Sequence, residues 1–216
     1  MSKKIVLAEK VKGKSKEIAD ELNRFFREKG IFAVNLIGSP GAGKTSLLEA
    51  MAPRLHGRAA VIEGDIQTDH DRQRIEQSGL CACQINTLGA CHLDAAMVRK
   101  AVNELSLDGV SLVFIENVGN LVCPAGFEIG EDIKVAVVSV TEGEDKPAKY
   151  PSAIAKSRAM VVTKLDLLPH VECDVGRMEA YAAAANPSLE CFRVCAKTGE
   201  GIETFLDWIE EAARSR

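Results

Sequence analysis

Residues Gly38 to Thr45 read GSPGAGKT and satisfy the spacing Gly-x-x-x-x-Gly-Lys-Ser/Thr. That spacing, between an apolar run and a helix-like segment, suits the cradling of a polyphosphate. Glycines at 38, 41 and 43, with Ala42 among them, let backbone N–H groups turn inward around phosphate oxygens. A helix starting at Lys44 adds the positive end of its dipole. The Lys44 ammonium would then reach the β- and γ-phosphates as a catalytic group, and the Thr45 hydroxyl would ligate Mg2+, with Ser46 a further nucleotide contact. A turn that merely joins two elements does not need all of these positions filled in this context.

Other stretches bear on which nucleotide binds and what hydrolyses it. TKLD, Thr163 to Asp166, resembles the guanine-specificity motif of GTPases, whose first residue is usually asparagine. The Asp166 carboxylate can accept from N1–H and the exocyclic amine of guanine, donors that adenine does not present, while the Lys164 stem lies along the base. Thr163 leaves open how the loop is braced. CAKTGEGI, Cys195 to Ile202, resembles the loop whose backbone meets guanine O6, which puts Ala196 and Lys197 at the base and makes Cys195 a small replacement for serine. In ENVG, Glu116 to Gly119, the carboxylate can hold Mg2+ directly or through water, and Gly119 can swing its N–H toward a γ-phosphate.

Asn120 follows where Ras-like proteins carry a water-orienting glutamine, so hydrolysis must rely on another group. EGDIQTDHD, Glu63 to Asp71, offers Asp65 to the Mg2+ shell or the attacking water, with Asp71 as a second candidate. Helix capping near Thr68 is the competing reading for Asp69 and Asp71. With no catalytic glutamine and no arginine finger in evidence, unaided hydrolysis of GTP to GDP and phosphate should be slow.

GACHLDA, Gly89 to Ala95, sets Cys91 beside His92 near an expected helix start, as two ordinary buried side chains or as part of a metal site. The seven cysteines are odd in number and irregularly spaced, which suits thiols in a reducing compartment rather than a disulfide framework. Cys81 and Cys83 alternate on one face of a strand and read as core or edge residues. DKPAKYP, 145 to 151, is a Pro-flanked segment after a strand with a basic residue toward each end, and Lys149 reads as an exposed loop lysine.

The elements that must position these residues follow from apolar periodicity. Ile18, Leu22, Phe25 and Phe26 recur at helical spacing over Lys14 to Lys29, an amphipathic helix ended by Gly30. Strands are expected at 31–37, 58–63, 81–86, 110–116, 133–139, 159–164 and 190–194. Helices are expected at 44–55, 68–78, 92–105, 152–157 and 174–185, with a last one from Ile202. Strands apolar on both faces that alternate with helices imply a three-layer α/β fold, a mostly parallel sheet flanked by helices. The expected organisation is a single GTPase domain over 1–216, residues 1–30 forming a helix packed on the core and 31–216 the G domain.

A hydrophobic share of 46%, charged residues at 27% and a net charge of -4 indicate a soluble chain without a basic footprint for nucleic acid. The four-residue apolar run before Glu9 is too short for a signal core, and no stretch nears the roughly 20 residues of a membrane span. A cytoplasmic location, with no nucleic-acid or membrane partner, is the expectation.

Together GSPGAGKT, EGDIQTDHD, INT followed by CHLDA, IENVGNLVCPA and DKPAKYP resemble the HypB family, nickel-insertion GTPases of the dimeric SIMIBI class, over about Ile31 to Ile209. The resemblance implies a SIMIBI-type P-loop fold, GTP or GDP with Mg2+ held partly by Thr45 and Asp65, and a Ni2+ or Zn2+ site of Cys91, His92 and Cys123 near a two-fold interface. It further implies a homodimer linked by nucleotide or metal, a HypA-type nickel chaperone as partner, and the hydrogenase large subunit as recipient. Adjacent ligands strain a single chelate, which favours a site shared between subunits.

The sequence has no cysteine before Cys81 and only four histidines, against high-capacity nickel storage. Competing readings are a UreG-like urease-maturation GTPase, whose metal motif is Cys-Pro-His, a phosphate-loop small-molecule kinase, and a zinc-stabilised binding protein with an idle nucleotide site.

Overall fold

The computed structural model of the chain describes residues 2–65 and 70–216, with side chains over 13–64 and 70–216. In chain order the elements are α1 (Ser2–Glu28), β1 (Phe32–Gly38), α2 (Lys44–Leu55), β2 (Ala59–Asp65), α3 (His70–Gln77), β3 (Cys81–Asn86), α4 (Ala95–Glu104) and β4 (Leu112–Glu116). They continue with β5 (Ile133–Ser139), α5 (Lys146–Lys149), α6 (Pro151–Lys156), β6 (Ala159–Thr163), α7 (Val175–Ala185), β7 (Glu190–Arg193) and α8 (Ile202–Arg214).

The seven strands form one sheet in the order β3-β2-β4-β1-β5-β6-β7, and every pairing is parallel. Strands β1, β4 and β6 are buried at every residue, whereas β3 and β7 at the edges are partly exposed. This is why the central runs read as continuously apolar. After β1 the chain runs out to β2 and β3 on one side, comes back to β4 beside β1 and then crosses to β5 on the other, so the order reverses around β1, whose carboxyl end opens a crevice.

On one face Leu36, Phe114 and Val137 pack under Leu48, Phe205 and Ile209 from α2 and α8. The opposite face divides in two. Ala33, Ile62 and Ile115 lie under α1 and α4, and Ala136, Met160 and Val162 lie under α6 and α7. Between these clusters Asn35 and Lys134 stand opposite one another in the β1–β5 register, both buried. In α1 the stripe of Ala19, Leu22 and Phe26 is buried, flanked by Ile18 and Phe25. Its polar edge is tied down by Asn23, which donates to the carbonyls of Gly130 and Glu131, each at 3.2 Å.

Three expectations are corrected. The first helix starts at Ser2, well before Lys14. Helix α4 starts at Ala95, because the Asp94 carboxylate accepts from the Met97 N–H at 2.7 Å and caps it there, which leaves Cys91 and His92 in the preceding bend. DKPAKYP is helical, forming α5 and the start of α6, with Pro147 and Pro151 in the first turns, where a missing N–H costs nothing. The helix expected over 68–78 spans His70–Gln77, and the capping assigned to Thr68 and Asp69 lies outside the described residues.

Candidate functional site

The phosphate loop lies between β1 and α2, at the crevice. Gly41 and Gly43 have φ of 75° and 93°, left-handed values that a Cβ would strain. A Cβ on Gly38 would fall 2.5 Å from the Val137 carbonyl oxygen. Lys44 and Thr45 open α2 and are buried, so the unpaired N–H groups of its first turn face the loop.

The guanine-type loop is bonded onto this one. The Thr163 hydroxyl donates to the Ala42 carbonyl at 2.6 Å, which answers the departure from asparagine: a buried hydroxyl braces the two loops. Lys164, with φ of 62°, donates from Nζ to the Gly41 carbonyl at 2.6 Å. Beside them lies a cleft of about 500 Å³ lined by Gly43, Ser46, Lys164, Asp166, Ala196 and Lys197. Its size suits a small-molecule ligand. Cys195 is buried, and its thiol donates to Asp166 Oδ1 at 3.4 Å, as a serine there would. Lys197 Nζ is 3.8 Å from the other carboxylate oxygen.

Glu116 ends β4 beneath the phosphate loop. It accepts from the Thr45 hydroxyl at 2.9 Å and lies 3.9 Å from Lys44 Nζ. Its Oε2 is buried with no hydrogen-bond partner among the described residues. Burial pushes this carboxyl up to about 7 despite the opposing influence of Lys44 and Thr45. An orphaned carboxylate oxygen beside a hydroxyl is a hard-oxygen donor set that fits Mg2+.

Asp65 closes β2, but its side chain lies outside the described ones. Glu63, first residue of the same motif, is buried next to Glu116 in the β2–β4 register. Asp71 accepts from Arg74 at 3.1 Å, and Arg74 also donates to Glu49 and to Ser46 Oγ. Sequence reasoning missed this arginine beside the phosphate-loop helix, since only the packing of α3 on α2 brings it there.

The segment after Glu116 touches the phosphate loop twice more. A Cβ on Gly119 would come within 2.9 Å of the Pro40 nitrogen, and Asn120 forms an antiparallel bridge with Gly38. The Asn120 side chain turns away from the loop. It accepts from the Val122 N–H at 2.8 Å and donates to the Cys91 carbonyl at 3.4 Å.

Cys91, His92 and Cys123 converge within this one chain, their ligand atoms all within 4.8 Å of one another. Cys91 Sγ is 3.6 Å from His92 Nδ1, close to the edge, about 3.5 Å, of a tetrahedron with zinc-like bond lengths. Sequence adjacency does not keep the two ligands apart here, because they sit in a bend. On a helix, neighbouring side chains would diverge. The imidazole stacks on Phe127 with centroids 4.1 Å apart, and burial lowers its proton affinity, which favours the neutral ligand form.

Cys81 is exposed and Cys83 half-buried on the edge strand β3. Lys149 pairs with Asp145 of its own helix at 2.6 Å. No helix among the described residues is long and apolar enough to cross a membrane.

The family model described as the CobW/HypB/UreG nucleotide-binding domain matches residues 32–193. The hydrogenase maturation factor HypB of Rhizobium leguminosarum bv. viciae is 49% identical over 216 residues, covering 99% of this chain and 72% of that protein. HypB from Helicobacter pylori, solved in complex with nickel, superposes with a TM-score of 0.89 at 32% identity, covering 94% of this chain and 96% of that one. HypB from Archaeoglobus fulgidus superposes with a TM-score of 0.85 at 35% identity, covering 93% and 99%. The fold is therefore that of a P-loop GTPase, and the chain belongs to the HypB family of hydrogenase maturation factors.

Proposed function

We propose that this chain is a GTP-hydrolysing metallochaperone that binds nickel, with zinc as the competing ion, and assists nickel insertion into nickel-iron hydrogenase. One observation carries the reading. Cys123 stands seven residues after Glu116, on a segment that touches the phosphate loop at Thr45, Pro40 and Gly38 and also meets Cys91 and His92.

In this reading the loop amides and Lys44 hold the phosphates, Asp166 selects guanine, and Thr45 and Glu116, with Asp65, would hold Mg2+. That ion supplies charge neutralisation at the phosphates. Lys44 stabilises the charge that develops as the γ-phosphate leaves. The Asn120 side chain is taken up by the Cys91 carbonyl and the Val122 N–H, which supports slow unaided turnover. The three protein donors leave a fourth tetrahedral position to a water, a chaperone or a second copy of the chain. A nucleotide- or metal-linked homodimer in the cytoplasm, a HypA-type nickel donor and the hydrogenase large subunit complete the proposal.

Because the relatives carry the name hydrogenase maturation factor, the hydrogenase reading is favoured over the urease-accessory one. Nickel and zinc titrations on wild type and Cys91→Ala, with Mg2+ and either GDP or a non-hydrolysable GTP analogue, test the proposal. Wild type should bind one ion per chain with an affinity that differs between nucleotides. Equal affinity in both states, or a variant that binds like wild type, would falsify it.

A further inference from the structure

The face of the sheet beneath α1 and α4 carries a line of buried polar side chains that neither the phosphate loop nor the metal cluster uses directly. Asn117 Oδ1 accepts from the backbone N–H groups of Leu93 and Val118, each at 3.0 Å. Its Nδ2 donates to Asn35 Oδ1 at 3.3 Å, and Asn35 Nδ2 donates to Glu131 Oε1 at 3.1 Å. Glu131 lies 3.2 Å from Lys134 Nζ, which also donates to the carbonyls of Pro124 at 3.2 Å and Phe127 at 2.9 Å.

The direction of the line is set from both ends. Two backbone donors at one end require the oxygen of Asn117, and an acceptor-only carboxylate at the other requires the nitrogen of Asn35. Flipping either amide would leave buried groups facing like partners, a cost that low-dielectric surroundings enlarge.

The ends of the line are the two halves of the metal site. Leu93 directly follows His92, and Pro124 directly follows Cys123. The Phe127 whose carbonyl the ammonium holds is the one whose ring stacks on His92. Asn117 directly follows Glu116, tied to the Thr45 hydroxyl, and stands two residues before Gly119, packed on Pro40.

Resting on the nucleotide and metal reading above, we infer that Asn117 is the positioning residue through which the nucleotide-contacting end of β4 sets the spacing of the metal ligands. Asn35, Glu131 and Lys134 form the fixed reference against which it acts. Asn35 and Lys134 are held in the β1–β5 ladder, so Pro124 and with it Cys123 stay in place. Asn117 lies one residue past the last β4 residue paired with β1, its N–H donating to the Leu36 carbonyl at 3.0 Å, and phosphate and Mg2+ contacts act on the residues flanking it. Turning of its side chain draws the Leu93 N–H, and therefore His92, relative to Cys123.

The test reads nickel affinity by competition with a chromophoric chelator, with Mg2+ and saturating GDP or a non-hydrolysable GTP analogue, on wild type, Asn117→Asp and Asn117→Ala. Wild type should differ between nucleotides by about tenfold. Asn117→Asp, whose carboxylate still accepts from Leu93 and Val118 but turns its second oxygen on Asn35 Oδ1, should reduce that difference less than alanine does. Asn117→Ala should bring the two states to within about twofold. A full wild-type difference in the alanine variant overturns this inference and leaves the functional reading standing, whereas no difference in wild type overturns both. Independently of whether the variants fold, hydrogen exchange at the Leu93 amide of wild type should change by about tenfold or more between nucleotides. Identical protection in both states overturns the inference.

Discussion

Replacing Glu116 with glutamine isolates the charge that burial makes hardest to carry. The carboxyl is raised from an ordinary 4.5 to about 7, chiefly by burial, with Lys44 and Thr45 opposing and Asp71 reinforcing the rise. At low pH it is protonated in both the folded and the unfolded chain. As pH rises past 4.5 the unfolded chain releases this proton while the folded chain retains it until about 7. Folding stability is therefore lost across that window, and the loss is complete above it. A displacement of this size corresponds to about 3 kcal/mol.

Glu116→Gln keeps an acceptor for the Thr45 hydroxyl and has no proton to lose. Urea denaturation of the nucleotide-free proteins from about pH 5 to pH 8 should show wild type losing about 2–3 kcal/mol more than the variant. Saturating Mg2+ and nucleotide should flatten the wild-type curve, because a cation at Oε2 favours the ionised form. Parallel pH profiles for the two nucleotide-free proteins would refute the reasoning.

Thr163→Val keeps the shape and removes the hydroxyl between Ala42 and the guanine-type loop; denaturation should show a loss of about 1–2 kcal/mol, with weaker GDP binding by calorimetry. Asp166→Asn turns one acceptor toward the base into a donor, so GTP affinity should fall by about a hundredfold while affinity for xanthosine triphosphate rises in the same titration. Lys134→Met leaves the Glu131 carboxylate buried without its cation and should cost about 3–5 kcal/mol. Adding Glu131→Gln should recover part of that loss in thermal melts.

Much of the machinery was legible because its chemistry is local. GSPGAGKT needs only a strand before it and a helix after it, and α2 begins at the expected Lys44. TKLD and CAK each place a functional group within a few residues of a strand end. The boundaries of β3 and β5 were legible for a related reason, since a run of apolar residues between turn formers has few other ways to fold.

What failed or stayed hidden depends on groups distant in sequence. The start of α4 was misplaced because His92 and Asp94 are both plausible at a helix end, and only the Asp94 carboxylate reaches a first-turn N–H. Asn35 and Lys134 were visible as polar residues inside apolar runs. Their meaning depends on β5 lying beside β1, a pairing of segments about 100 residues apart. The brace from Thr163 to Ala42 likewise spans 121 positions.

Sequence alone determined that this protein holds a nucleotide, that guanine is the favoured base, and which thiols and imidazole are candidate ligands. Each of those rests on the chemistry of a short segment. Tertiary structure alone decided that Cys91, His92 and Cys123 meet within one chain, and that the end of β4 is bonded to the segment after His92 and, through Asn35, Glu131 and Lys134, to the segment after Cys123. The physical reason is that a parallel sheet orders its strands by packing rather than by chain position.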